Sequence, residues 1–185
     1  MVYPTLFQVI ALRLESFKIA LRAYIPRESK EASLASCPAY STDDAVLVLD
    51  TETTVDAYQN LLFGSCGIWI VRQLYRFIIF YDENISRSQV KTLERFAGDI
   101  LEDVQIEVMT SKEFVESVFY PWVYNAKALL VGFNLPFDLS RLAESYGKAR
   151  DKFKNGFSFK LSENKFHSRI RIKSLDSTKS FIEFE

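Results

Sequence analysis

Two unbroken apolar runs, residues 45–49 and 128–133, each end at a polar residue, Asp50 and Asn134. A short apolar run without alternation reads as a strand buried on both faces of a central sheet. Such a strand needs cover on both sides, which confines the chain to an α/β architecture. Between the runs, residues 67–71 and 77–81 are strand-like, and the polar break at 72–76 is short enough for an antiparallel hairpin. Ser86 and Gln89 have capping-box spacing, and Val90, Leu93, Phe96, Ala97, Ile100 and Leu101 follow at helical intervals. Ser111 is expected to open another helix, with Phe114, Val115, Val118 and Phe119 on its apolar face and Pro121 near its end. After the second run, Leu139, Leu142, Ala143 and Tyr146 mark a helix closed by Gly147. Residues 157–161, 169–175 and 181–184 read as short strands. The expected fold is α/β, with a central mixed β-sheet flanked by helices.

Upstream, Leu6, Ile10, Leu14, Phe17, Leu21 and Tyr24 fit one face of a helix that Pro26 stops, and residues 27–44 are polar and aperiodic. Residues 1–42 are therefore expected to be an N-terminal extension and linker, and 43–185 the main domain. A length of 185 residues suits one ordinary domain with an appendage, and 48% apolar with 25% charged residues can build a packed interior. Cys37 and Cys66 cannot form a disulfide framework, and no apolar stretch approaches the roughly 20 residues of a bilayer span. With no export signal read, a cytoplasmic location without membrane contact is expected.

Charge is split along the chain. Residues 141–179 hold eleven Lys or Arg against four Asp or Glu, whereas residues 1–140 hold twelve against eighteen. A basic segment after an acidic body suits a polyanion whose reacting centre needs carboxylates and whose backbone needs cations; a solvated basic surface is the plainer reading.

Asp50-Thr51-Glu52 follows the first apolar run. In extended backbone, residues two apart project to the same side, so the two carboxylates would converge at the sheet's carboxyl edge. Hard oxygen ligands held together favour Mg²⁺ or Mn²⁺, although acid-x-acid triplets are also common as solvated strand ends. Asn134 and Asp138 stand where the second run passes into a helix, so a second acidic site would face the same crevice. Each also has a structural role open to it, Asn134 as an N-cap and Asp138 as an acid in a helix's first turn.

Val48-Leu49-Asp50-Thr51-Glu52-Thr53-Thr54 resembles the first motif, and Val131-Gly132-Phe133-Asn134-Leu135-Pro136-Phe137-Asp138 the second, of the DEDD 3′–5′ exonuclease superfamily. That group includes proofreading domains of DNA polymerases and has a ribonuclease H-like fold. The order of elements matches as well: strand and Asp-x-Glu, hairpin, helix, strand, then Asn-x-x-Phe-Asp opening a helix. The similarity covers about residues 43–150. It implies that Asp50, Glu52 and Asp138 are catalytic and ligate two divalent ions, Mg²⁺ or Mn²⁺. It further implies that Thr53 touches the terminal nucleotide and that Asn134 helps place the strand. The implied partner is a nucleic acid 3′ end, with DNA favoured over RNA. Phe137 is read as a core residue.

The family's third motif, Tyr-x-x-x-Asp or His-x-x-x-x-Asp, is not found after Asp138. Ile172 stands where His167 would need an aspartate, Tyr146 and Asp151 miss the tyrosine spacing by one, and Tyr40 and Asp44 precede the first motif. Asp176 is read as a strand-end acid and His167 as a surface residue of the basic segment. The expectation is an exonuclease-like domain lacking its last motif. It would be either a piece of a longer, polymerase-like enzyme that supplies the missing C-terminal segment, or a degenerate homologue. The alternative is a non-catalytic ribonuclease H-like module that binds nucleic acid or a protein through residues 148–173.

Overall fold

The computed structural model describes residues 45–99, 106–176 and 179–185. The readings made for residues 1–42, Ile100 and Leu101 lie outside these. The first strand, β1 (Val46–Thr53), alternates in burial. Leu47, Leu49 and Thr51 are buried, whereas Val48 is 43% exposed. Only one face of β1 is packed, so the expectation of a strand buried on both faces is corrected: the continuous apolar run hides a period of two. Its antiparallel neighbour β2 (Leu61–Ile70) joins β3 (Gln73–Tyr81) through Val71 and Arg72, whose φ angles are 49° and 63°. Both central residues are left-handed, as a two-residue turn that follows strand twist requires, although neither is Gly or Asn. The polar residues expected to break the hairpin therefore sit mostly within β3.

Helix α1 (Arg87–Asp99) starts as its pattern requires. The Ser86 N–H donates to Gln89 Oε1 at 2.9 Å, and the Gln89 N–H donates to Ser86 Oγ at 3.3 Å. Half-buried Val90, Leu93, Phe96 and Ala97 form its inner stripe, and it packs on β3 and on β4 (Ile106–Thr110). Helix α2 (Ser111–Phe114) is capped by Thr110 rather than Ser111. Thr110 Oγ1 accepts the Glu113 N–H at 3.2 Å, and Glu113 Oε2 accepts the Thr110 N–H at 2.8 Å. It continues as a π-helical segment, Val115–Asn125, with Pro121 inside it. Strand β5 (Leu129–Val131) then runs parallel to β1 and leads into α3 (Leu135–Arg141).

The first sheet has the order β4-β3-β2-β1-β5, parallel at both outer pairings and antiparallel within. The fold is thus α/β with a mixed sheet. The expected helix through Tyr146 to Gly147 is corrected, because α3 ends at Arg141. The Glu144 N–H then bonds the Lys160 carbonyl at 2.9 Å, drawing the chain into a strand. That strand, β6 (Ser145–Lys148), opens an antiparallel sheet with β7 (Phe157–Lys160), β8 (Ile170–Ser174) and β9 (Ser180–Phe184). Leu47, Leu49, Ile68 and Phe80 of the first sheet, Phe114, Phe119 and Tyr120, and Phe159 and Ile170 of the second form one buried cluster. Phe80 and Phe114 stack with ring centroids 4.2 Å apart, and the Tyr120 hydroxyl donates to the Ser168 carbonyl at 2.7 Å. No helix among the described residues is long and apolar enough to cross a membrane.

Candidate functional site

Strand β5 pairs with β1 only as far as Val48–Val131. Gly132 follows, and a Cβ placed there would stand 2.8 Å from the Leu49 carbonyl oxygen and 2.7 Å from Leu135 Cδ2. Only a residue without a side chain lets the backbone pass this closely. Helix α3 therefore begins beside the open edge of β1, level with Asp50 and Thr51, and packs against that strand.

Asp138 comes in at this edge. It is 2% exposed, and its Oδ1 accepts a hydrogen bond from the Thr51 hydroxyl at 2.7 Å. Its Oδ2 is buried with no hydrogen-bond partner. Thr51 shares the inner face of β1 with Leu47 and Leu49, while alternation turns Asp50 and Glu52 to the outer face. The two motifs thus meet at one strand end, but Asp138 is bonded to the residue between the two acids. Among the described residues, no three His, Cys, Asp or Glu are grouped closely enough to hold a metal ion.

All three carboxylates are nevertheless disturbed in the same direction. Burial raises Asp50 above the usual carboxylate range, against a lowering by the Thr51 backbone N–H. Glu52 is raised by loss of solvation, then by the charges of Asp50 and Asp138. Asp138 is pushed up to about 6, mainly by burial and further by Asp50, against the Thr51 hydroxyl and against the backbone N–H groups of Thr51 and Asn134; these two N–H groups lie near the carboxylate, too long or bent for Oδ2 to count as hydrogen-bonded. No Lys or Arg ion-pairs with any of them among the described residues. Glu52 is exposed on the outer face of β1 and Asp138 is buried on the inner side, so the three carboxylates share a strand end without forming a cation cage among the described residues.

Thr53 is half-buried at the end of β1, where the register with β2 shifts. Asn134 is exposed at the N-cap position of α3, and its side chain makes no capping bond. Among the described residues no side-chain hydrogen bond draws either toward the carboxylates, and Asn134 acts on the Asp138 carboxyl only through its backbone N–H, which lowers its pKa. Phe137 is half-buried, with the Arg141 guanidinium 4.8 Å above its ring. Two residues with evident local roles escaped the sequence reading, Thr51 and Arg141. Arg141, one turn beyond Asp138, donates to the Tyr58 and Gln59 carbonyls at 3.1 and 2.7 Å and ties the β1–β2 loop to α3. Phe133, 95% exposed beside Asn134, is a bare ring at the same corner.

Four of the eleven cations in the basic segment are engaged in ion pairs. Lys152 and Arg171 pair with Glu183, Lys160 with Glu163 and Arg169 with Glu185. The expectation for His167 is corrected, because its ring stacks on Tyr120 at 3.9 Å and its side chain is only 17% exposed. His167 Nδ1 lies 3.0 Å from Ser162 Oγ and 3.3 Å from Glu116 Oε2, and the Ser162 hydroxyl also donates to Glu116. A nucleophilic triad places its hydroxyl and its acid on opposite ring nitrogens. Here both face Nδ1, so the cluster fastens the 162–168 loop to the π-helical segment.

No protein-family model matches this sequence, and comparison with curated proteins finds no match either.

Proposed function

We propose that residues 43–185 form a ribonuclease H-like 3′–5′ exonuclease-type domain that acts on phosphodiester bonds at nucleic-acid 3′ ends, with Asp50, Glu52 and Asp138 as its carboxylates. The observation that carries this reading is the buried Asp138 carboxylate, one oxygen bonded and the other bare, set against the strand that bears Asp50 and Glu52. The order of elements adds support, running from β1 with its acids through a hairpin and helices to β5 and a helix carrying Asp138. Mg²⁺ or Mn²⁺ held by these groups would supply Lewis-acid activation of a phosphodiester and of attacking water. The chain's own residues supply position: β1 presents two acids, α3 presents the third, and the exposed Phe133 ring offers a face on which a terminal base can stack. Asn134 and Thr53 stand at the ends of the same two elements and are assigned to the strand.

The test is a 5′-labelled single strand of DNA, and a parallel one of RNA, incubated with Mg²⁺ or Mn²⁺. Stepwise shortening that Asp50→Ala and Asp138→Asn each reduce by at least about a hundredfold is expected. A strand left intact under all conditions removes the catalytic reading. One observation favours a second reading, a non-catalytic module of the same fold: among the described residues no three His, Cys, Asp or Glu are grouped closely enough to hold a metal ion. Salt-sensitive strand binding without metal-dependent cleavage would establish that alternative.

A further inference from the structure

From the end of β6 into the loop of its hairpin with β7, a cation stands at every second position: Lys148, Arg150, Lys152 and Lys154. All four are exposed, whereas Ala149, Phe153 and Gly156 are buried. The Ala149 N–H donates to the Gly156 carbonyl at 3.0 Å, and a Cβ on Gly156 would collide with the Ile172 carbonyl oxygen, so the loop is pressed onto β8. From β8, Lys173 Nζ donates to the Lys152 carbonyl at 3.1 Å, and the Arg171 guanidinium lies 5.1 Å from the Phe153 ring centroid. The adjoining β8–β9 turn adds Lys179. The acids at this end of the sheet are Asp151, Asp176 and Glu183, and Glu183 is taken up by Lys152 and Arg171. Lys148, Arg150 and Lys154 enter no ion pair or side-chain hydrogen bond among the described residues.

Two bare aromatic rings adjoin these cations. Lys148 is the register partner of Phe157, and Tyr146, two residues back on β6, shares their face. Tyr146 is 76% and Phe157 53% exposed, at the outer strand of the sheet and its neighbour. Phe157 is steadied by Phe159, stacked at 6.0 Å. We propose that Tyr146, Phe157 and the loop from Lys148 to Lys154 form a binding surface for single-stranded nucleic acid. Bases stack on the two rings, and Lys148, Arg150 and Lys154 hold the phosphates. The ligand class follows from the pairing of two chemistries. Charge alone suits any polyanion, whereas flat apolar rings beside unpaired cations suit a chain that alternates bases with phosphates. A duplex keeps its base faces stacked inward and would forgo the rings. The surface uses none of Asp50, Glu52 and Asp138, so it goes beyond the exonuclease-type reading and does not rest on it.

The experiment follows the fluorescence anisotropy of a labelled oligothymidylate strand as the full chain is added in EDTA, over a series of salt concentrations. The wild type is expected to bind, with an affinity that falls as salt rises. Lys148→Gln, Arg150→Gln and Lys154→Gln together should flatten the logarithmic salt slope by about 2, at about 0.7 for each phosphate contact on a single strand. Tyr146→Ala and Phe157→Leu should each weaken binding about tenfold and leave that slope unchanged. Lys91→Gln with Arg95→Gln, both exposed on α1, removes charge elsewhere and should change little. A wild type that does not bind, binding indifferent to salt, or equal losses in the triple and the α1 variants overturns the inference. Ring variants without effect, or heparin or duplex bound as tightly as the strand, overturn it as well, since the surface would then accept polyanions at large. EDTA keeps divalent ions out of the assay, which separates the two readings. A strand bound here but never shortened with Mn²⁺ removes the catalytic reading alone; a strand shortened with Mn²⁺ but not held by these residues removes this inference alone.

Discussion

At Gly132 the backbone runs so near its neighbour that one hydrogen decides how the two motifs meet. A methyl group there would lie 2.8 Å from the Leu49 carbonyl oxygen, closer than side-chain carbons approach backbone, and 2.7 Å from Leu135 Cδ2. Leu135 could swing away, but Leu49 is held in the sheet by its pairing with Cys66. The strain therefore falls on the start of α3, and the residue displaced with it is Asp138. Gly132→Ala is expected to cost about 1–3 kcal/mol, read as a lowered Tm, and to weaken Mn²⁺ binding beyond what that loss of stability explains. A control at Gly98, whose Cβ would meet nothing within 4 Å, should leave both properties unchanged or gain slightly in helix stability.

Among the elements, β4 is held to the sheet by more than its backbone ladder. Arg76 Nε and Nη2 donate to the two oxygens of Glu107, each at 2.7 Å, in a forked pair that spans β3 and β4. The guanidinium holds the Glu107 carboxyl below its ordinary value. A lowered folded-state value means that the carboxylate favours folding above the unfolded pKa, and that this contribution disappears as pH falls through the folded value. Both side chains are about one-third exposed, so the pair is worth about 0.5–1 kcal/mol. Glu107→Gln should lower Tm at pH 7, and the deficit should close as pH is taken below the ordinary glutamate range and through the lowered folded-state value. Strand β4 itself has no distinct signature in the sequence, because Ile106-Glu107-Val108-Met109-Thr110 is short and each of its residues is only half-buried. The same physical reasons govern the other elements. Helix α1 was legible because its cap is built from side chains three apart, whereas the β2–β3 turn was not, because Val71 and Arg72 take left-handed conformations that their types rarely favour. The segment after Phe114 read as an ordinary helix ended by Pro121, since nothing in residue spacing announces π-helical turns. In the site, Asp50, Glu52 and Asp138 could be picked out from their places at strand ends. Thr51 could not, because strand alternation turns it away from its neighbours and only the arrival of α3 gives it a partner.

On the scale of the whole molecule, the carboxylates and the core make opposing contributions. Leu47, Leu49 and Leu139 belong to the apolar cluster shared by both sheets, and Thr51 and Asp138 sit at its rim. The bare Asp138 oxygen is thus an unsatisfied group in an otherwise continuous interior, and such a group costs about 1–3 kcal/mol. Because the cluster runs through both sheets without interruption, they should unfold together. Near-ultraviolet and far-ultraviolet circular dichroism should report one shared Tm, and separate transitions would contradict a common core. A cation that binds at the rim only when β1 and α3 are assembled must then stabilise the whole cooperative unit. At a Mn²⁺ concentration about a hundredfold above the dissociation constant, the gain is about 2.7 kcal/mol. For a chain of 185 residues this raises Tm by roughly 5–10 °C. Chelation should reverse the shift, and Asp138→Asn should show little of it. A Tm that Mn²⁺ leaves unchanged in the wild type, or raises equally in Asp138→Asn, would mean that the carboxylates at this strand end do not act together on a cation.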